Sequence, residues 1–170
     1  MPRPDSRHYH PVVADHPDMS ILRGIDLFEG LNAMHMAHVA SICQPQSFKK
    51  NEVLFEDGDD GQHMYIVAEG SVRVSKVVPG IGEEALAILK PGSYFGEMEF
   101  IDRDLDRAAR VMIHERAVLY AISYEDMDHL FNSDRDLALA IQGAMLRTLG
   151  RRLRATNDKV TAMFAMAQFS

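Results

Sequence analysis

The hydrophobic period of this chain changes twice, and that restricts the fold more than any single motif. From Ser20 to about Gln44 the period is helical, with Ala33, Met36, Val39, Ala40 and Cys43 on one face and Gly30 separating two short helices. Between about Pro45 and Ser123 it becomes two. "EVLFEDG", "HMYIVAEG", "SVRVSKVV", "EALAILKPG" and "RAVLYAIS" are short strand-like runs, each bounded by Gly, Pro or Asp turn chemistry about every 8–12 residues. The glycines at 58, 61, 70, 82, 92 and 96 fall at or near the predicted turns. Such spacing predicts a β-sandwich or jelly roll and not a parallel α/β sheet.

After Tyr124 the helical period returns. Ser123 is placed to cap a helix over "SYEDMDHLF", whose first-turn acids suit the helix dipole. A much longer helix follows from about Asp134, carrying Leu146, Leu149, Leu153, Thr156, Val160, Met163 and Ala167 at alternating spacings of 3 and 4. This heptad seam predicts a helix that pairs with its symmetry mate, although a lone helix packed on the barrel would show the same stripe. Most of Arg147, Arg151, Arg152, Arg154 and Lys159 are expected on its solvated face.

Composition excludes several function classes. A chain of 170 residues with 46% apolar content can bury one domain core plus one long extra element. Its net charge of −7 disfavours direct nucleic-acid binding, which needs Lys and Arg to neutralise phosphates. The one cysteine, Cys43, permits no internal disulfide or cysteine-only metal cage and reads as a buried helix residue. No run approaches the ~20 apolar residues that span a bilayer, and the polar N-terminus lacks the apolar segment of a signal peptide. A soluble, cytoplasmic protein is expected. Residues 1–19, with Pro2, Pro4, Pro11 and Pro17, read as a flexible tail.

"PGSYFGE" ends one strand with a Gly-rich bend and opens a very short helix. Backbone N–H groups at such a turn can nest an anion, and Gly allows close approach to the main chain. Ten residues after Glu97, Arg107 opens "RAARV". If the loop doubles back, Arg107 faces the nest and can hold a phosphate through two parallel hydrogen bonds, with Glu97 left to accept from a sugar hydroxyl. A surface salt bridge between the two is the plainer alternative.

This stretch resembles the phosphate-binding cassette of the cyclic nucleotide-binding domain family, whose pattern is Phe-Gly-Glu, a short helix and loop, then Arg-Ala-Ala or Arg-Ser-Ala. "NEVLFEDGDDGQHMYIVAEGSVRVSK" is similar to the family's first strands, "LAILKPGSYFGE" to the strand entering the cassette, and "RRLRATNDKV" to the dimer helix of bacterial catabolite activators. The resemblance covers roughly residues 20 to 165. It implies an antiparallel jelly-roll β-barrel, mainly β with α, flanked by N-terminal helices and a long C-terminal dimerisation helix, with the domain at 20–133 and the helix at 134–170.

Carried across by position, the resemblance implies that Gly96 and the amides just after it, Met98 included, approach a cyclic phosphate. Glu97 takes the ribose 2′-hydroxyl, Arg107 pairs with the phosphate, and the Ala108 amide adds a contact. Thr156 and Asn157 stand where activator-like proteins touch the adenine, one of them from the partner subunit. The implied ligand is cAMP, possibly cGMP; Ala108 lacks the hydroxyl that can bond guanine, which tilts the choice to cAMP. No catalytic residue, metal or cofactor is implied. The expected protein is a homodimeric regulatory module signalling to an unknown protein partner, a stand-alone sensor without a DNA-binding domain.

Two positions depart from the pattern. The family carries a small residue two places past the glutamate, where this chain has Glu99, and Thr or Ser where it has Arg110. A Glu99 carboxylate about 5 Å from a phosphate would repel it by roughly 3 kcal/mol at an effective dielectric of about 20, nearly cancelling Arg107. Three directions are open to it: into the pocket, outward to Arg103 or Arg110, or onto Arg107 itself as an anion mimic. The last would leave a degenerate scaffold for interaction or dimerisation. Arg110 is expected to face solvent, and Asp102, Asp104 and Asp106 to lie on an exposed loop.

Other constellations are weak. His35 and His38 sit three apart on a helix without converging ligands and read as surface residues, as do His8, His10 and His16 in the tail. A metal-dependent jelly-roll enzyme would need several barrel histidines, and the predicted barrel offers only His63 and His114. Met163, Phe164, Met166 and Phe169 make the C-terminal end apolar, suited to a partner or to the dimer seam.

Overall fold

The structure, a computed structural model, describes residues 16–167. The tail histidines His8 and His10, most of the 1–19 segment, and Phe169 lie outside the described residues. The element order is α1 (Met19–Arg23), a 3₁₀ turn (Asp26–Phe28), α2 (Ala33–Ile42), β1 (Gln44–Phe48), β2 (Val53–Phe55), β3 (His63–Val78), β4 (Gly82–Leu89), β5 (Tyr94–Phe95), α3 (Met98–Ile101), β6 (Arg110–Ser123), α4 (Tyr124–Ser133) and α5 (Arg135–Ala167).

All strand pairings are antiparallel. The sheet runs β1-β6-β3-β4, with β2 added to β6 and β5 to β3. The long strands β3 and β6 bury both faces, so 64–68 and 118–122 are continuous apolar runs whose side chains alternate between two cores. Met64, Ile66, Tyr120 and Ile122 point to a helical layer built from α1, α2, α4 and the start of α5. Tyr65, Val67, Val111, Ile113, Leu119 and Ala121 alternate into a second core with Phe48 and Phe95. The two expected strands over 63–78 are one strand. Gly70 does not end it but sits in an irregular register with φ of +74°, where a Cβ would meet Arg116 O at 2.0 Å.

Helix starts follow their caps. Asn32 accepts from the His35 N–H, Ser123 from the Asp126 N–H, and Asp134 from the Leu137 N–H. Cys43 is the C-cap of α2 and not a residue within it; its burial pushes the thiol up to about 12. His35 is also more than a surface residue: half-buried, its Nε2 lies 3.2 Å from Asp134 at the head of α5.

The start of α5 packs on the rest of the chain through residues that precede the seam: Leu137, Ala138, Ile141, Ala144 and Met145 are buried against the helical layer. Of the seam itself, Leu146, Leu153, Val160 and Met163 stand 44–69% exposed and do not pack on the barrel. No helix among the described residues is long and apolar enough to cross a membrane.

Candidate functional site

Three stretches far apart in sequence meet at one end of the barrel. The first is the bend at Gly96 leading into the single turn α3. Gly96 takes φ of +77°, and a Cβ there would lie 2.6 Å from Arg107 Nη1 and 3.0 Å from the His63 carbonyl oxygen. Only glycine admits the arginine so close to the main chain. A helix of one turn leaves its first N–H groups without intrahelical partners.

The second stretch is the loop between β2 and β3. Its backbone clamps Arg107 from both sides, the Gly58 N–H donating to Arg107 O and the Arg107 N–H to Asp59 O, each at 2.8 Å. Gly61 leaves room for the guanidinium, since a Cβ would stand 3.0 Å from Arg107 Cζ. Phe55, on β2, lies under that group, its ring centre 4.1 Å from Cζ.

Arg107 is 2% exposed; both of its terminal nitrogens are hydrogen-bonded, while its Nε is buried without a hydrogen-bond partner. Nη1 donates to Glu99 Oε2 at 2.8 Å and to the Tyr124 hydroxyl at 3.2 Å, while Nη2 donates to His63 O at 2.7 Å. Of the three directions open to Glu99, it takes the one onto Arg107, and at 5% exposure the pair is buried. The Tyr124 hydroxyl, at the start of α4, donates to Gly96 O at 2.7 Å and stands 3.3 Å from Glu99 Oε2. Burial pushes that hydroxyl above the usual tyrosine range, Arg107 offsetting and Glu99 reinforcing the shift.

The third stretch is α5. Arg152 Nη1 donates to Glu97 Oε1 at 2.5 Å and its Nη2 to Tyr94 O at 2.6 Å. Glu97 is 1% exposed, and burial pushes its carboxyl above the usual carboxylate range; Arg152 pulls the other way, and Glu99 adds to the rise. Arg152, which the sequence does not single out from the other basic residues of the helix, joins the long helix to the cassette. Its offset of four from Thr156 was the one signal in the sequence, unreadable until the face of α5 that meets β5 was known.

Between these stretches lies a cavity of about 210 Å³, with Phe55, Val74, Leu89 and Phe95 as its apolar wall and Gly96, Glu97, Met98, Glu99, Ala108 and Arg152 among its polar and backbone lining. The structure thus brings Gly96, Glu97, Met98 and Ala108 together at one cavity, with Arg107 packed directly behind Gly96. It does not bring Thr156 and Asn157 there. Both are exposed on α5, Thr156 Oγ1 donating to Arg152 O. Arg110 lies outside the cavity, half-buried between Glu56 and Glu83 instead of facing solvent alone, and Asp102, Asp104 and Asp106 are exposed. Among the described residues no three His, Cys, Asp or Glu side chains converge as a metal site. A larger hollow of about 340 Å³, beside the 3₁₀ turn and α2, is lined by Arg23, Asp26 and Glu29 together with Gly24, Gly30 and Leu31.

A family model described as the cyclic nucleotide-binding domain matches residues 45–134. The Cyclic AMP receptor protein of Thermus thermophilus is 35% identical over 133 residues, covering 78% of this chain and 59% of that protein. The CRP-like cAMP-activated global transcriptional regulator of Mycobacterium tuberculosis is 29% identical over 141 residues, covering 82% of this chain and 60% of that protein. The crystal structure of the Thermus thermophilus Catabolite Activator Protein superposes with a TM-score of 0.71 at 30% identity, over 81% of this chain and 62% of that one. The chain therefore spans about 60% of the length of these curated relatives.

Proposed function

The chain belongs to the cyclic nucleotide-binding domain family, and from that premise we propose that it is a regulatory module that binds a cyclic nucleotide, cAMP before cGMP, in the cavity at Gly96. The observation that carries this reading is the cavity itself, where the cassette bend, a buried carboxylate and the Ala108 main chain face one apolar wall. A cyclic phosphate belongs at Gly96, Met98 and Ala108 against Arg107, and the ribose hydroxyl at Glu97. Ala108 offers guanine no hydroxyl, and the Mycobacterium tuberculosis and Thermus thermophilus relatives both carry cAMP in their names.

The coupling route is Arg152. A sugar hydroxyl that takes Glu97 competes with or joins the Arg152 contact, so occupancy is felt on α5. Exposed Leu146, Leu153, Val160 and Met163 are suited to a second copy of the helix, which would bring Thr156 and Asn157 of one protomer or its partner toward the purine. Binding energy then reaches the helix pair without any catalytic step, and a further protein reads the change.

Isothermal calorimetry with cAMP and cGMP tests this. Saturable heat with cAMP, weaker with cGMP, is expected; no heat with either at millimolar ligand sinks it. The buried Arg107–Glu99 pair supports a second reading, a scaffold whose phosphate site is already filled by its own carboxylate. On that reading Glu99→Ala creates binding that the parent lacks. Micromolar affinity in the parent eliminates it.

A further inference from the structure

Resting on the cavity being the cyclic nucleotide site, we propose that this pocket takes up one proton with its ligand, carried by Glu99, so that affinity rises as pH falls. The argument begins with charge. The pocket holds two carboxylates, Glu97 and Glu99, matched by two guanidiniums, Arg152 and Arg107. A cyclic phosphodiester adds one negative charge that has no cation of its own. It must draw on Arg107, whose Nη1 is held by Glu99 and Tyr124 and whose Nη2 donates to the His63 carbonyl, leaving only the buried Nε without a partner. Glu99 is only 5% exposed, so water cannot take over the charge that Arg107 gives up. Leaving a buried ion without its partner is among the most costly changes a protein interior can undergo.

Hydrogen-bond geometry supplies the place for the proton. A tyrosine hydroxyl has one hydrogen and can accept two bonds. That of Tyr124 spends its hydrogen on Gly96 O at 2.7 Å, so its 3.3 Å approach to Glu99 Oε2 holds no proton while Glu99 is a carboxylate. A hydrogen on Oε2 fills that gap, with Glu99 donating to the tyrosine oxygen. Arg107 is then released to the phosphate without any buried charge being stranded. The proton comes from solvent and forms the Oε2–H bond; no other bond is made or broken.

The groups that surround Glu99 are few. Arg107 comes from the loop before β6, Tyr124 from α4, and Glu97 from the bend before α3, itself joined to Arg152 of α5. Arg103 stacks on the Tyr124 ring, 4.6 Å from its centre, and pairs with Asp128. His63, on β3, contributes its carbonyl to Arg107, and because histidine is the side-chain type that ordinarily changes charge near neutral pH, it has its own control.

Calorimetry of cAMP binding at pH 6.5, in two buffers of different ionisation enthalpy, counts the protons directly on the unmodified chain. Close to one proton taken up is expected, with affinity rising by up to about tenfold per unit as pH falls from 7.5 to 5.5. Glu99→Gln should bind with no uptake and a flat pH profile, and His63→Gln should keep the uptake. Binding without uptake overturns the proposal and leaves the functional reading standing. Uptake that persists in Glu99→Gln, or disappears in His63→Gln, also overturns it. Binding by Glu99→Gln but not by the parent at any pH supports the scaffold reading against both. Failure of every chain to bind overturns the functional reading and this inference together.

Discussion

Replacing Arg107 by methionine should destabilise the fold far more than removing most surface arginines would. The guanidinium is 2% exposed and its partner carboxylate 5% exposed, so Arg107→Met strands Glu99 inside the protein. Cutting one member of such a pair costs about 3–5 kcal/mol, against about 0–1 kcal/mol for an exposed one. At this chain length that loss lowers the melting temperature by roughly 6–20 °C. The double variant Arg107→Met with Glu99→Met removes both charges and keeps side chains of similar length. It should recover most of the loss, retaining about 1–3 kcal/mol for the His63 carbonyl that loses its donor. Urea unfolding followed by far-ultraviolet circular dichroism, at one protein concentration and pH 7, measures all the corners of the cycle. Lowering the pH should narrow the gap between Arg107→Met and the parent, because the stranded carboxylate can then be neutralised. Losses that simply add in the double variant, or an Arg107→Met cost below about 1 kcal/mol, would refute the buried-pair argument.

Gly96→Ala places a methyl against Arg107 Nη1 in a backbone with φ of +77°, so a loss of about 1–3 kcal/mol and of cyclic nucleotide binding is expected, read by unfolding and calorimetry. Arg152→Ala unpairs a carboxylate that is 1% exposed, and because the arginine is itself half-open to water the cost should stay near 1–2 kcal/mol; hydrogen exchange should quicken in α5 near Arg152 and leave β3 unchanged. Leu146→Glu with Leu153→Glu puts charge on the exposed seam; sedimentation should show lower mass than the parent with an unchanged melting profile at low concentration. At high pH, Cys43 is held up to about 12 by burial, and burial raises Tyr94, Tyr120 and Tyr124 as well. These groups ionise in the unfolded chain first, so stability should be flat to about pH 8.5 and then fall toward pH 12, with Cys43→Ala shallowing the slope.

The barrel was readable because short apolar runs bounded by turn residues recur along it; β3 and β6 are buried on both faces by different partners, so their central runs are continuous. The cap at Ser123 was readable because it is a local bond between a side chain and an amide a few residues on; Asp134, read only as the approximate helix start, caps α5 in the same way. Gly70 misled because a glycine inside a strand looks the same in sequence as one in a turn. What separates them is the Arg116 carbonyl across the sheet, 46 positions away in the register of another strand. Cys43 lay on the apolar face of α2 as expected, yet one residue beyond its end, where β1 begins almost at once.

The candidate site divides along the same line between local and remote causes. Gly96, Glu97 and Ala108 could be assigned from a contiguous motif, because a bend and a one-turn helix fix where their main chain goes. The direction of Glu99 could not, since a turn of four residues has no period to set an inside and an outside. It is decided by Arg107, which is clamped by the Gly58 and Asp59 backbone, and by Tyr124, which belongs to a helix that starts after the next strand. Arg152 was missed for the opposite reason. It sits in a run of basic residues that looks uniformly solvated, and only the packing of Leu137, Ile141 and Met145 turns that one guanidinium toward Glu97. Each carboxylate of the cassette therefore takes its cation from a different part of the chain, Glu99 from its own loop and Glu97 from the long helix. On the proposed reading, a ligand that displaced the first would act on the pocket and one that displaced the second would act on the helix, so phosphate and sugar contacts should contribute separately to affinity and to signalling.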